Sequence, residues 1–445
     1  MALLTKSTRL NKLYWKNVLS NLLFRNIRVT FSFPRNSLHY GGVRQIIEKS
    51  KDKKKIEPKR NFNNIEEMVI LAENNDVLPR FEEKASFNFS DNLSAVLYGI
   101  GDLRLEQRPL PKYSEKEVLI ATECVGLSKA DINFISKREY KNYVLEKPLI
   151  LGHEASGTVA EVGCKVTKFR PGDRVAIEPT IPCRICEWCK KGRFNLCPDI
   201  YFCGMPPSNG TLSRFFAWPE DFCLKLPHHV GFDEAALLEP LAVAHHACKR
   251  GGITVGSKVV ICGSSPIGIL SMLCAKACGA TNIIVTDTKS DRLRCANTMG
   301  ANNIIFVKKS AKDDHLTKEI LEALGGQAHV CLECSGSPQA LRISAEITKP
   351  GGTIVLVTPS PFGTAIQTKC LEEEIDIRGV LNYCNNYQNA LDLIATGRLD
   401  FTSMITHDYK LTDIMQAYNV AKTGRAIKIL IHTNPKWIPS RRRNY

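Results

Sequence analysis

The chain holds 445 residues, 44% of them hydrophobic and 24% charged, enough for two or three domains with well-buried cores. Its formal charge of +15 is unevenly spread: residues 1–60 carry 15 Lys/Arg against 3 Asp/Glu, and the other 385 carry 45 against 42. The larger part is nearly neutral, which argues against a groove for a nucleic-acid backbone, and no run of 18 apolar residues is present to span a membrane.

From Met1 to Gln45 there is no acidic residue, while Lys6, Arg9, Lys12, Lys16, Arg25, Arg28, Arg35 and Arg44 punctuate an apolar and hydroxylated background. A basic, acid-free, amphipathic stretch of this kind reads as a mitochondrial transit peptide over 1–45, drawn toward a matrix of negative potential. Charges interrupt it every few residues, unlike a secretory h-region. Residues 46–92 are charged and unpatterned, and read as a linker or loose extension.

Of 17 cysteines, four fall within fifteen residues as Cys183, Cys186, Cys189 and Cys197. Four thiolates at this spacing can close a tetrahedron round a zinc ion with no position left for water, which marks a structural centre. Arg184, Lys190, Lys191 and Arg193 would offset the double negative charge. An iron–sulfur cluster is the rival occupant, since soft thiolates suit both. The segment is too hydrophilic to be a core strand, and the remaining cysteines sit among apolar neighbours, so a disulfide framework is a poor fit for a chain of this size. Cys274, Cys278 and Cys295 read as small apolar residues inside helices.

Beyond Ser257 short β-branched runs alternate with helical stretches. Strands are expected at Val259–Cys262, Ile283–Thr286, Asn303–Val307, Val330–Glu333, Thr353–Val357 and Ile375–Val380, a rhythm that predicts a doubly wound parallel sheet of the α/β class. The first turn reads Gly263-Ser264-Ser265-Pro266-Ile267-Gly268. Ser265 stands where the dinucleotide fingerprint has its second glycine, so a β-carbon points toward the pyrophosphate, with a hydroxyl able to donate to it. Asp287, nineteen residues past Gly268, is placed to accept the adenosine ribose hydroxyls, favouring NAD over NADP. Lys289 and Arg292 blur that preference.

Three further segments carry a family signature: Leu151-Gly152-His153-Glu154-Ala155-Ser156-Gly157, Pro171-Gly172-Asp173-Arg174-Val175, and Leu238-Glu239-Pro240-Leu241-Ala242-Val243. With the cysteine lobe and the dinucleotide pattern, residues 93–435 resemble the zinc-containing medium-chain alcohol dehydrogenases, and within them the polyol (sorbitol) dehydrogenases. The resemblance implies a β-rich GroES-like catalytic domain over 93–243, a dinucleotide-binding Rossmann domain over 244–381, a return to the first domain over 382–435, and a basic tail over 436–445. It also implies a homo-oligomer, dimer or tetramer, and a cleft with Phe134, Phe202 and Tyr383 among its wall residues. His245 and His246 read as packing or cap residues rather than ligands.

In that family a catalytic zinc is held by a Cys, by the His and Glu that match His153 and Glu154, and by water, with a further Glu matching Glu239. The thiolate's place is taken here by Ser128, a poor zinc ligand. Ala130 occupies the place of the proton-relay hydroxyl, Lys129 that of a glycine, and Asn382 that of a substrate-side Arg. Cys124 lies about 13 Å along an extended strand from Ser128 and cannot substitute. The resemblance therefore implies zinc-assisted hydride transfer between a polyol, or its ketose, and NAD, weakened at the metal. Two other readings stay open: a non-catalytic protein of the same fold that binds a dinucleotide or a partner, and a zinc-independent reductase using NADPH.

Overall fold

The computed structural model describes residues 87–360 and 363–438. The transit-peptide segment, residues 46–86 of the extension and the end of the basic tail lie outside the described residues. Phe87–Asn92, expected as the end of a loose extension, are tied to the sheet behind them. Phe89 stacks on Phe215 with ring centroids 5.5 Å apart, and the buried Asn92 carboxamide accepts from the Phe215 N–H at 3.0 Å. The cause is apolar: two phenylalanines in the short run Phe87–Phe89 have a hydrophobic face to cover.

The first part of the chain builds a β-rich unit. A hairpin of β1 (Leu93–Gly99) and β2 (Asp102–Gln107) precedes the long β3 (Glu117–Gly126). β3 is buried at eight of its ten positions, with both of its faces covered, and it runs into α1 (Lys129–Lys137). Then come β4 (Glu154–Val162), β5 (Arg174–Ile177), the cysteine lobe, β6 (Phe215–Pro219) and β7 (Cys223–Lys225). α2 (Phe232–Ala236) and α3 (Leu238–Gly251) lead out of it. α3 carries Glu239 in its first turn and continues past residue 244, so one helix joins the two halves without a break.

The second part alternates strand and helix. Its strands are β8 (Lys258–Cys262), β9 (Asn282–Asp287), β10 (Asn303–Phe306), β11 (Ala328–Glu333), β12 (Thr348–Leu356) and β13 (Asp376–Gly379). All pair in parallel, in the order β10-β9-β8-β11-β12-β13. That is the doubly wound arrangement, with its topological switch between β8 and β11, where open α/β sheets bind their ligands. α4 (Pro266–Ala277) starts at that switch. The chain then returns through α5 (Tyr387–Ala395) to β14 (Ile405–Lys410) and β15 (Lys428–His432). These complete the first sheet, whose order is β7-β5-β4-β3-β15-β14 with β6 also paired to β3.

The strand-to-helix turn depends on its two glycines. Gly263 has φ +101°, a left-handed value that side chains resist, and a β-carbon on Gly268 would collide with the Gly263 carbonyl oxygen. Ser265 between them has an ordinary φ of −64° and caps α4 with its backbone, so the missing middle glycine costs the turn nothing. Gly268→Ala is expected to lower the unfolding free energy by about 1–3 kcal/mol through this clash, read as a lower urea midpoint. Gly99→Ala, with nothing within 4 Å of the added carbon, should stay within about 0.5 kcal/mol of the parent.

Candidate active site

One cleft of about 630 Å³ runs between the two halves. Ser128, Lys129, Glu154 and Lys428 line it on the sheet side, and Gly263, Ser265, Ile267, Asp287, Lys289 and Arg292 on the dinucleotide side. Asp287 is set by its neighbours: one carboxylate oxygen accepts from the Ser264 N–H at 2.6 Å and hydroxyl at 2.8 Å, the other from the Lys289 N–H at 2.8 Å. The Ser265 hydroxyl is buried and has no hydrogen-bond partner, at the N-terminus of α4. A helix N-terminus with an unpaired donor is a setting for an anion. Arg292 donates to the Gly424 carbonyl at 3.2 Å, while its buried Nε has no partner.

At the sheet end His153, Glu154 and Glu239 bring one ligand atom each within 4.8 Å of one another, all three buried. His153 immediately precedes β4, Glu154 opens it, and Glu239 comes from the first turn of α3. The His153 ring stands edge-on to Phe202 at 5.4 Å, and its buried Nδ1 has no hydrogen-bond partner. Burial pushes the Glu239 carboxyl up to about 7, the Glu154 charge adds to this, and His153, Lys428 and Lys141 oppose it. Two carboxylates and an imidazole with an orphaned buried nitrogen form a donor set that suits a divalent ion. The geometry therefore fits the metal that the sequence implies.

Sequence reasoning missed Lys428. Its side chain is 3% exposed, forms an ion pair with the Glu154 carboxylate and donates to the Leu127 carbonyl at 3.3 Å. The signal was a lysine opening an otherwise apolar run, Lys428-Ile429-Leu430-Ile431, which is unusual without a partner. Gly126 makes room for the pair, since a β-carbon there would strike the Glu154 carboxylate.

Ser128 has a different employment from the one the family resemblance implied. It caps α1 in a capping box, its Oγ donating to the Asp131 carboxylate at 2.6 Å and accepting from the Asp131 N–H at 3.2 Å. The other Asp131 oxygen accepts from the Gly152 N–H at 3.0 Å, tying the cap to the residue before His153. Asn382 adopts a left-handed φ of 47°, which asparagine tolerates better than most side chains. Of the expected wall residues only Phe202 touches the His153 neighbourhood. Phe134 and Tyr383 are enclosed at 0% and 1% exposure and do not line the cleft. Phe134 lies on the inward stripe of α1 with Ala130, Asp131 and Ile135, and Tyr383 packs on Tyr387 beside the Thr180 hydroxyl.

Cys183, Cys186, Cys189 and Cys197 converge within 4.8 Å. Backbone N–H groups of Ile185 and Cys186 draw the Cys183 thiol down to about 7, whereas burial pushes Cys189 up to about 12. The lobe also braces the loop before α5. Cys384 and Asn385 donate to the Gly192 carbonyl at 3.0 and 2.8 Å, and Asn195 donates to the Leu381 carbonyl at 2.9 Å.

Residues 114–228 match the sequence profile of the alcohol dehydrogenase GroES-like domain, and residues 266–396 that of the zinc-binding dehydrogenases. Sorbitol dehydrogenase of Homo sapiens is 40% identical over 346 residues, which cover 78% of this chain and 97% of that one. The Bos taurus enzyme matches equally, at 40% over 346 residues, 78% of this chain and 97% of its own. The chain belongs to the zinc-binding medium-chain dehydrogenase/reductase family. It stands close to the sorbitol dehydrogenases within it. Among solved structures, an Escherichia coli oxidoreductase of unknown specificity superposes with TM-score 0.72 at 33% identity, over 77% of this chain and 99% of that one. 2R,3R-butanediol dehydrogenase from Bacillus subtilis gives TM-score 0.71 at 28% identity, over 77% of this chain and all of its own.

The Lys428–Glu154 pair yields a direct expectation for this family member. Lys428→Met strands a buried carboxylate and should destabilise metal-free protein by about 3–5 kcal/mol, whereas Lys428→Met/Glu154→Gln should recover most of that loss. Urea unfolding of the parent and both variants in the presence of a chelator measures it.

Proposed function

We propose that the chain oxidises a secondary alcohol of a polyol to a ketose with NAD, at a zinc centre held by His153, Glu154 and Glu239. The observation that carries this reading is the buried trio itself, which opens through Glu154 onto the same cleft as Asp287 and the Gly263–Gly268 turn. The sorbitol dehydrogenases to which the chain is similar supply the substrate class. Zinc bound there contributes a Lewis acid that acidifies an alcohol, and the dinucleotide contributes the hydride acceptor.

The chain's own residues do the rest. Asp287, fixed by three donors from Ser264 and Lys289, presents its remaining lone pairs to ribose hydroxyls and disfavours a 2′-phosphate. Ser265 offers a hydroxyl, and α4 its N-terminal N–H groups, to a pyrophosphate. Lys428 offsets the charge of Glu154 within the buried site. Ser128, committed to Asp131, lends no thiolate, and Ala130 moves no proton, so turnover is slow compared with an enzyme that holds both groups. The four-cysteine lobe takes a second, structural zinc. As in the related dehydrogenases, the working form is a homo-oligomer.

One observation favours a second reading, a non-catalytic dinucleotide-binding protein: the Ser128 hydroxyl and the Glu154 carboxylate already have internal partners. Zinc content and turnover separate the two. In the dehydrogenase reading, full-length protein oxidises polyols with NAD, and His153→Ala lowers kcat/KM roughly a hundredfold or more while holding one zinc fewer per chain. Cys186→Ser also loses one zinc. Ser128→Cys restores a thiolate and should raise kcat/KM roughly tenfold, at a cost of about 1 kcal/mol in helix capping. Absence of turnover with every polyol, in the parent and in Ser128→Cys alike, leaves the binding reading standing.

The acid-free basic stretch over residues 1–45 supports delivery to the mitochondrial matrix. A fluorescent protein carrying residues 1–45 at its N-terminus should enter mitochondria, and Arg25→Glu/Arg28→Glu should retain it in the cytosol. Diffuse fluorescence from the unsubstituted fusion counts against this address.

A further inference from the structure

Away from both metal-ligand sets, Cys124, Asp233 and His432 bring ligand atoms within 4.8 Å of one another. Strand register causes the meeting. Cys124 on β3 and His432 on β15 are direct partners in an antiparallel pair, so their side chains leave the same face. Asp233, in the first turn of α2, reaches the same point.

Three features make this more than a packing accident. His432 Nε2 lies 3.0 Å from an Asp408 carboxylate oxygen, so the ring donates there and turns the Nδ1 lone pair toward Cys124 and Asp233. Metal-binding histidines are commonly oriented by a carboxylate in this way. The Nδ1 stands 3.8 Å from Asp233 Oδ1, beyond a hydrogen bond but near the edge of a tetrahedron round zinc, about 3.4 Å for bonds of about 2.1 Å. Cys124 and His432 are 0% and 3% exposed, whereas the Asp233 side chain is 50% exposed and gives an ion a way in. The Trp437 ring lies flat against the His432 ring at 3.8 Å. Full burial of Cys124 leaves no room for a substrate, which removes a thiol nucleophile from consideration.

We propose that Cys124 Sγ, His432 Nδ1 and the Asp233 carboxylate form a further divalent-metal site, suited to zinc or another borderline-soft ion, with water as the remaining ligand. The Cys124 thiol donates to Asp233 in the metal-free protein. Binding replaces that proton by the ion, and the proton passes to solvent. The ion cross-links β3, β15 and α2, fastening the returning C-terminal strand to the sheet.

Full-length protein stripped with a chelator and titrated with Zn²⁺ against a competing indicator tests this directly. Cys124→Ser, His432→Asn and Asp233→Asn should each bind one equivalent fewer than the parent. Asp408→Asn keeps every ligand and should weaken only that equivalent, about 10–100-fold. Asp233→Asn and Asp408→Asn alter partly exposed carboxylates with near-isosteric amides, so they report even where the two buried substitutions fail to fold. Equal Zn²⁺ equivalents and affinities in the parent, Asp233→Asn and Asp408→Asn would overturn the proposal. Loss of zinc in His153→Ala or Cys186→Ser concerns other residues and leaves it untouched.

Discussion

The constraint on which the molecule turns is the antiparallel pairing of β15 with β3. Leu430, Ile431 and His432 face Gly126, Val125 and Cys124, partners some three hundred positions apart in the chain. That register sets Lys428 against Glu154 and His432 against Cys124. A slip of one residue would turn both side chains to the opposite face and dissolve both arrangements. The Thr433 N–H, donating to the Glu123 carbonyl at 3.1 Å, extends the ladder and holds the register at its far end.

The two ends of the cleft present opposite electrostatic characters. The dinucleotide end offers donors: the Ser265 hydroxyl, the opening turn of α4 and the cation of Arg292. The sheet end gathers carboxylates, with Glu154 and Glu239 near each other and Lys428 and His153 as counterweights. α3 connects the ends mechanically, because the helix with Glu239 in its first turn continues into the second half. Movement between the halves must therefore bend this helix or carry Glu239 with it.

Much of this was readable from the sequence. The six parallel strands follow from β-branched runs separated by helical stretches, and the observed boundaries lie within two residues of those expected, except that β12 starts five residues earlier. The cysteine lobe was legible because its spacing is local. So was the His153–Glu154 pair, which only adjacency had to place. Lys428, His432, Asp233 and the cap role of Ser128 were not legible, because each takes its meaning from a partner on another strand or helix. Asp131 occupies the serine hydroxyl and braces Gly152, a double role set by residues on two different segments. Spacing rules recover what the chain does within one turn or one lobe. They are silent where the sheet closes on itself, and there the site is decided.

The Lys428–Glu154 ion pair also bears on how this chain could change over time. A metal pocket lined only with carboxylates and imidazole is unstable when empty, because its charges repel one another once the ion leaves. Here the Lys428 ammonium pairs with the Glu154 carboxylate, so the cluster carries part of its own counter-charge. The buried lysine lets the sheet carry its own counter-charge at Glu154, so neighbouring positions such as the Ser128 cap can change without leaving that carboxylate unpaired.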